Sequence, residues 1–128
     1  MNERYLFRGK REKDEQWEYG AFWQNNSSII DKSGYSQKVI PETVGQCTGL
    51  KDKNGKWIFE GDIIRTKKYG RVIAHSTVSD YDIFRITYVP AVFRLENIHR
   101  AFNLVGNSAD YEVIGNIHDS PELLEVER

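Results

Sequence analysis

The chain has 128 residues, 39% hydrophobic and 29% charged, with 18 Lys and Arg against 19 Asp and Glu for a formal net charge of −1. That length suits one domain able to bury roughly two thirds of its unfolded surface, and the charge is unevenly spread, with a basic excess in 65–100 that is a mild bias short of the dense patch of a phosphate-backbone binder. The single Cys47 excludes an internal disulfide and any multi-cysteine metal site and suits a reducing cytosol, while no apolar run is long enough to cross a bilayer and the first residues lack the apolar core of a signal peptide.

Taken in order, Arg4-Tyr5-Leu6-Phe7-Arg8 reads as a first strand, ended by Gly9 and a charged turn from Lys10 to Gln16. From Trp17 to Gln24 the chain alternates. Trp17, Tyr19, Ala21 and Trp23 fall on one face, and Glu18, Gly20, Phe22 and Gln24 on the other, which is the period of a half-buried strand. Asn25-Asn26 turn the chain so that Ser27 to Asp31 returns beside it, and Lys32-Ser33-Gly34 close that unit. Ser36 to Ile40 is a further short strand, stopped by Pro41, which lacks a donor; Pro41-Glu42-Thr43 is a loop or a single helical turn.

Two apolar runs then flank Asp52-Lys53-Asn54-Gly55-Lys56, and Asn54-Gly55 predicts a hairpin with a two-residue type I′ turn, because both residues tolerate positive φ. Trp57, Ile58 and Phe59 follow, Gly61-Asp62 breaks the run, and Ile63-Ile64 restart it. Strands are predicted at Arg71–His75 and Ile83–Val89, the latter with Phe84, Ile86 and Tyr88 toward the core. Val92-Phe93-Arg94-Leu95 is either an edge strand or the start of a short helix through Glu96 to Arg100. Tyr111 to His118 alternates as a terminal strand, and Asp119-Ser120-Pro121-Glu122 has capping-box spacing for a short helix from Pro121 to about Val126. Many short strands with Gly and Asn turns predict one mainly-β domain over 1–128: an N-terminal hairpin region (1–40), a small SH3-like or related barrel (about 44–118) and a C-terminal helical turn (120–127).

Three ordered blocks carry a resemblance. Gly45-Gln46-Cys47-Thr48-Gly49-Leu50, Asp52-Lys53-Asn54-Gly55-Lys56 and Phe59-Glu60-Gly61-Asp62-Ile63 make the central one. The opening block is Tyr5-Leu6-Phe7-Arg8-Gly9-Lys10 with Trp17-Glu18-Tyr19-Gly20, and the closing block is Glu112-Val113-Ile114-Gly115-Asn116-Ile117-His118 with Pro121-Glu122-Leu123-Leu124. Together they resemble the YopX family of phage and prophage proteins. The resemblance implies a mostly-β fold, an origin in a phage or integrated prophage, and with it the cytoplasm of a bacterial host; it carries no established biochemical activity.

The residues themselves supply few chemical signals. His75, His99 and His118 lie 24 and 19 positions apart, without metal-ligand spacing. Glu60 and Asp62 straddle Gly61 and would point to one side of an extended segment, as an acid and base pair or a cation site would require; a turn in which Asp62 accepts backbone amides explains the same residues. Asp80 and Asp82 flank Tyr81 and read as a solvated turn. Cys47 has no adjacent base and reads as a buried thiol. No phosphate-binding loop or nucleophile elbow occurs. Arg65, Lys67, Lys68, Tyr69 and Arg71 form a basic, aromatic strand-turn-strand that suits single-stranded nucleic acid, although lysines on a hairpin also guard sheet edges. Trp23 and Tyr35 would mark an interface if exposed, but a β core to be filled favours an interior place for them. The expectation is a non-enzymatic module that binds another protein or its own copies, with no cofactor, metal or membrane. Nucleic-acid binding through 65–71 is the alternative, and a small enzyme using Glu60 and Asp62 the third reading.

Overall fold

A computed structural model describes residues 6–67, 82–89, 92–97, 100–104 and 110–125. The predicted strand Arg71–His75, the histidines His75 and His99, and Lys68, Tyr69, Arg71 and Asp80 lie outside the described residues. The chain divides into two compact units, Met1–Gly49 and Leu50–Arg128. Both are mainly β.

In the first unit, β1 (Phe7–Lys10), β2 (Trp17–Trp23), β3 (Ser28–Ile30), β4 (Ser36–Lys38) and the start of β5 (Gly45–Lys51) form an antiparallel sheet of order β4-β3-β2-β1-β5. Each reversal has a local cause. A 3-10 turn at Gln24–Asn26 joins β2 to β3 and ends with Ser27 at φ 51°; the Asp31 carboxylate accepts the amides of Ser33 (2.9 Å) and Tyr35 (3.1 Å) to fold the β3–β4 turn. A second 3-10 turn, Pro41–Thr43, leads into β5, and Thr43 Oγ1 ties it to β1 by accepting the Lys10 amide at 2.8 Å and donating to the Ile40 carbonyl at 2.6 Å. Phe7 and Phe22 pack with ring centroids 5.7 Å apart on the face that also holds Ile29, and Ile29 and Val39 are fully buried.

The second unit starts within β5, whose end turns into β6 (Trp57–Phe59). It continues as β7 (Asp62–Thr66), β8 (Asp82–Val89), β9 (Val92–Glu96), β10 (Ala101–Asn103), β11 (Glu112–Asn116) and α1 (Glu122–Glu125). Ile58, Ile64, Phe84, Ile86, Leu95 and Tyr111 form its core, each buried side chain contributing about 1.5–3 kcal/mol relative to exposure. The strand order is β10-β9-β8-β7-β11. Among the described residues this sheet does not close, so the expected barrel is replaced by an open antiparallel sheet. The reason is visible at β11: its outer edge is taken by the β5–β6 turn, through Lys53 N to Tyr111 O (2.9 Å) and Val113 N to the Asp52 carboxylate (3.0 Å), leaving no free ladder there for β10 to join.

The β5–β6 hairpin forms, but not with the predicted turn. Gly55 alone takes positive φ (84°) and Asn54 does not. Gly55 N bonds Asp52 O at 3.0 Å and Asp52 N bonds Lys56 O at 2.7 Å, which makes Lys53-Asn54-Gly55 a three-residue loop with its glycine in the left-handed position. The choice between strand and helix at Val92 resolves to strand, paired on both sides rather than at an edge. Tyr88 was expected in the core; it is 45% exposed at the end of β8, its ring 4.9 Å from Phe93. The expected alternation of the last strand is interrupted by a register shift between Val113 and Gly115. Gly115 has a packing role: a Cβ there would come within 2.9 Å of Leu123 Cδ1 and 3.1 Å of Ser120, so glycine lets α1 seat on β11. The turn before α1 is organised by Asn116, whose Oδ1 accepts the amides of His118 (3.0 Å) and Asp119 (2.9 Å); Asp119, the expected cap, accepts from Asn116 Nδ2 at 3.1 Å.

Candidate functional site

Two of the exposed large apolar side chains of the first unit, Tyr19 and Trp23, share one face of its sheet. Opposed residues in an antiparallel ladder share a face, and the register sets Lys10 against Trp17, Arg8 against Tyr19, Ala21 against Ile30 and Trp23 against Ser28. Ser28 and Ile30 in turn oppose Lys38 and Ser36. Phe7, Phe22 and Ile29 occupy the reverse face. The result is a row along β2 of Trp17, Tyr19, Ala21 and Trp23 in which Tyr19 is 44% and Trp23 53% exposed. Cations border the row: the Arg8 guanidinium lies 4.7 Å and the Lys10 ammonium 5.6 Å from the Trp17 ring centre, while Lys38 is exposed on the β4 side. Tyr35, in the adjoining β3–β4 turn, is 71% exposed. The expectation of interior places for Trp23 and Tyr35 is corrected here, because Phe7, Phe22, Ile29 and Val39 already fill the reverse side.

The residues singled out in the sequence are dispersed. Arg65 Nε donates to Glu112 Oε1 at 2.7 Å from the facing position on β11, and the Lys53 ammonium lies 3.7 Å from the same oxygen. The Arg65 guanidinium, through its hydrogen bond and charge, is the main cause that holds the Glu112 carboxyl below its ordinary range, with the charge of Lys53 adding to it. Lys67 ends the described stretch beyond β7, and Lys68, Tyr69 and Arg71 fall outside it. Asp62 is 2% exposed and accepts the Phe59 amide at 2.7 Å. Beside it Gly61, at φ 91°, bonds Ile86 O and receives Ile117 N, both at 2.8 Å, and Glu60 is half-buried in the same turn. Asn54 and Gly55 belong to the loop already described. Cys47 is a thiol outside any disulfide, with no exposed surface, and among the described residues no three His, Cys, Asp or Glu side chains are grouped as a metal site requires.

One cluster was misread in the sequence. Asp82 is not a solvated turn residue: it is 3% exposed and forms an ion pair with Arg100. Its Oδ1 accepts the amides of Ile83 (2.9 Å) and of the Asn97 side chain (3.1 Å), and Asn97 Oδ1 accepts the Arg100 amide at 2.9 Å. The Arg100 guanidinium also lies 5.8 Å and 5.6 Å from the ring centres of Phe84 and Phe102. The signal was present in the period of β8, which places Asp82 on the face of Phe84 and Ile86, where a carboxylate needs partners. Those partners are supplied within the chain, so the cluster braces the β9–β10 connection.

The model of the YopX protein family matches residues 2–125. The chain belongs to the YopX family. The crystal structure of protein EF1440 from Enterococcus faecalis is similar to this YopX chain at 30% sequence identity with a TM-score of 0.54, over 92% of this chain and 96% of that one. No curated protein matches it. Membership in the YopX family fits the mainly-β architecture; among the described residues no helix of this YopX chain is long and apolar enough to cross a membrane.

Proposed function

We propose that this YopX chain is a phage or prophage accessory protein acting in the host cytoplasm as a non-enzymatic binding module, and that its contact face is the one bearing Trp17, Tyr19 and Trp23. One observation carries the reading. Two large rings stand 44% and 53% exposed on the same strand face, while Phe7, Phe22 and Ile29 pack on the reverse face. Exposed aromatic rows bordered by cations are a usual anatomy of interface centres. The Glu60 and Asp62 pair favours the same conclusion: Asp62 is buried with its carboxylate accepting the Phe59 amide, and Glu60 is half-buried in the same turn.

The test compares wild type with a Tyr19→Ser, Trp23→Ser double variant, which removes half-exposed rings and leaves the reverse-face core in place. Extract of the prophage-bearing host is passed over each, with solution mass measured by light scattering. A bound macromolecule, or a mass above one chain, that the double variant loses while keeping its thermal midpoint supports the reading. Identical retention and identical mass in the two proteins would refute it.

A further inference from the structure

Resting on that contact face, we propose that its occupant is single-stranded nucleic acid, held by stacking of bases on the β2 row and by contact of phosphates with Lys10 and Lys38. Same-face residues of a strand stand roughly 7 Å apart, so Trp17, Tyr19, Ala21 and Trp23 span about 20 Å, the reach of a few extended nucleotides. Ala21, exposed between two exposed rings, leaves a gap in the row that a planar base can enter. Lys10 lies beyond the row on the β1 side and Lys38 beyond it on the β4 side, so positive charge borders both flanks of a strand laid along β2.

The charges separate by face. In a chain of net charge −1, none of the β1–β4 positions on this face is Asp or Glu, and Glu18, the one carboxylate in these strands, falls on the reverse face opposite Gly9. An isologous contact between two copies would set this face against itself, bringing Lys10 and Lys38 onto strand positions that hold no carboxylate to meet them. A duplex buries its base faces in its own stack, whereas a single strand offers them to Tyr19 and Trp23. This assigns the nucleic-acid surface to β2 in the first unit rather than to the 65–71 segment, whose Arg65 is engaged by Glu112.

The probe is a fluorescein-labelled oligothymidylate of about 12 nucleotides, followed by anisotropy, with the duplex that it forms with oligodeoxyadenylate and polyglutamate as competitors. The expected result is binding with log affinity falling linearly as log salt rises, weaker competition by the duplex than by the single strand, and none by polyglutamate. Tyr19→Ser and Trp23→Ser should each weaken binding roughly 5- to 150-fold, Trp23→Phe should restore most of it, and Lys10→Gln with Lys38→Gln should flatten the salt slope by about 0.7 per lysine. Absence of oligothymidylate binding, or binding that neither serine variant weakens, overturns the proposal. If polyglutamate binds in its place and the serine variants abolish that, the occupant is an acidic protein: the nucleic-acid inference falls and the contact-face reading stands. If the serine variants alter neither probe nor the host-extract retention, both fall.

Discussion

Asp52 Oδ2 accepts the amide of Val113 at 3.0 Å, joining positions 61 residues apart. Its other oxygen accepts the amides of Asn54 and Lys56, each at 2.9 Å, and the residue is 2% exposed. One carboxylate thus shapes the β5–β6 turn and fixes the edge of β11. Asp52→Ala would leave three amides without an acceptor where water has little access, so urea unfolding should show a loss of about 2–4 kcal/mol with an unchanged m-value. Asp52→Asn keeps one oxygen acceptor and should lose less. A loss under about 1 kcal/mol for the alanine variant would mean the turn holds β11 by other means.

The loop geometry separates the two residues that looked equivalent in the sequence. Gly55 is the position at φ 84°, with open space around a Cβ, so Gly55→Ala meets backbone strain alone and should cost about 1 kcal/mol. Asn54→Ala should stay within about 0.5 kcal/mol. Equal penalties at the two positions would point to the two-residue turn instead, and thermal melts of both variants decide the matter.

How far the sequence could be read follows from these residues. Alternation located β2 and β8 because a strand with one buried face writes its period locally, and Asn54-Gly55 between two apolar runs located the hairpin. Turn chemistry at Asp31 and Asp52 was likewise local, although the three-residue loop was not distinguishable from the type I′ form, since Asn-Gly serves both. What escaped was long-range. Closure of a barrel depends on which edges meet, and the capture of the β11 edge by Asp52 and Lys53 joins segments that periodicity treats separately. β10 escaped too, as a three-residue strand held by its register with β9. At the candidate site the face sharing of Trp17, Tyr19 and Trp23 was legible. Their exposure was not, because both faces of β2 carry aromatic residues and the choice falls to Phe7 and Ile29 on neighbouring strands.

The Asp82–Arg100 pair should behave as a coupled unit. Arg100→Met removes the cation and leaves the Asp82 carboxylate, 3% exposed, with Ile83 N and Asn97 as its remaining described partners; the expected loss is about 2–4 kcal/mol. Asp82→Asn added to Arg100→Met should recover part of it, giving a coupling of about 1–3 kcal/mol in a double-mutant cycle. Additive losses would show that the two side chains stabilise the connection independently.

Acid should weaken the β7–β11 pairing through Glu112. Arg65, with Lys53 adding to it, lowers the Glu112 pKa in the folded protein, so the carboxylate binds protons more weakly folded than unfolded. Its contribution is present above the ordinary Glu range near 4.3 and is lost as pH falls through the lowered folded value. The difference in stability between wild type and Glu112→Gln should therefore shrink as pH drops from about 6 to about 3, and shrink again with added salt because Arg65 is partly exposed. A difference that stays flat across that pH range would remove Glu112 from the account.

The account stands or falls on the β2 face, and the three tryptophans report on it separately: Trp17 and Trp23 lie on β2, Trp57 on β6 in the other unit. Titrating isotopically labelled protein with oligothymidylate and following the indole N–H signals is the most direct measurement. The predicted result is a saturable shift of the Trp23 signal, with Trp17 moving alongside it and Trp57 staying in place. Movement of Trp57 alone, or of none of the three, would contradict it.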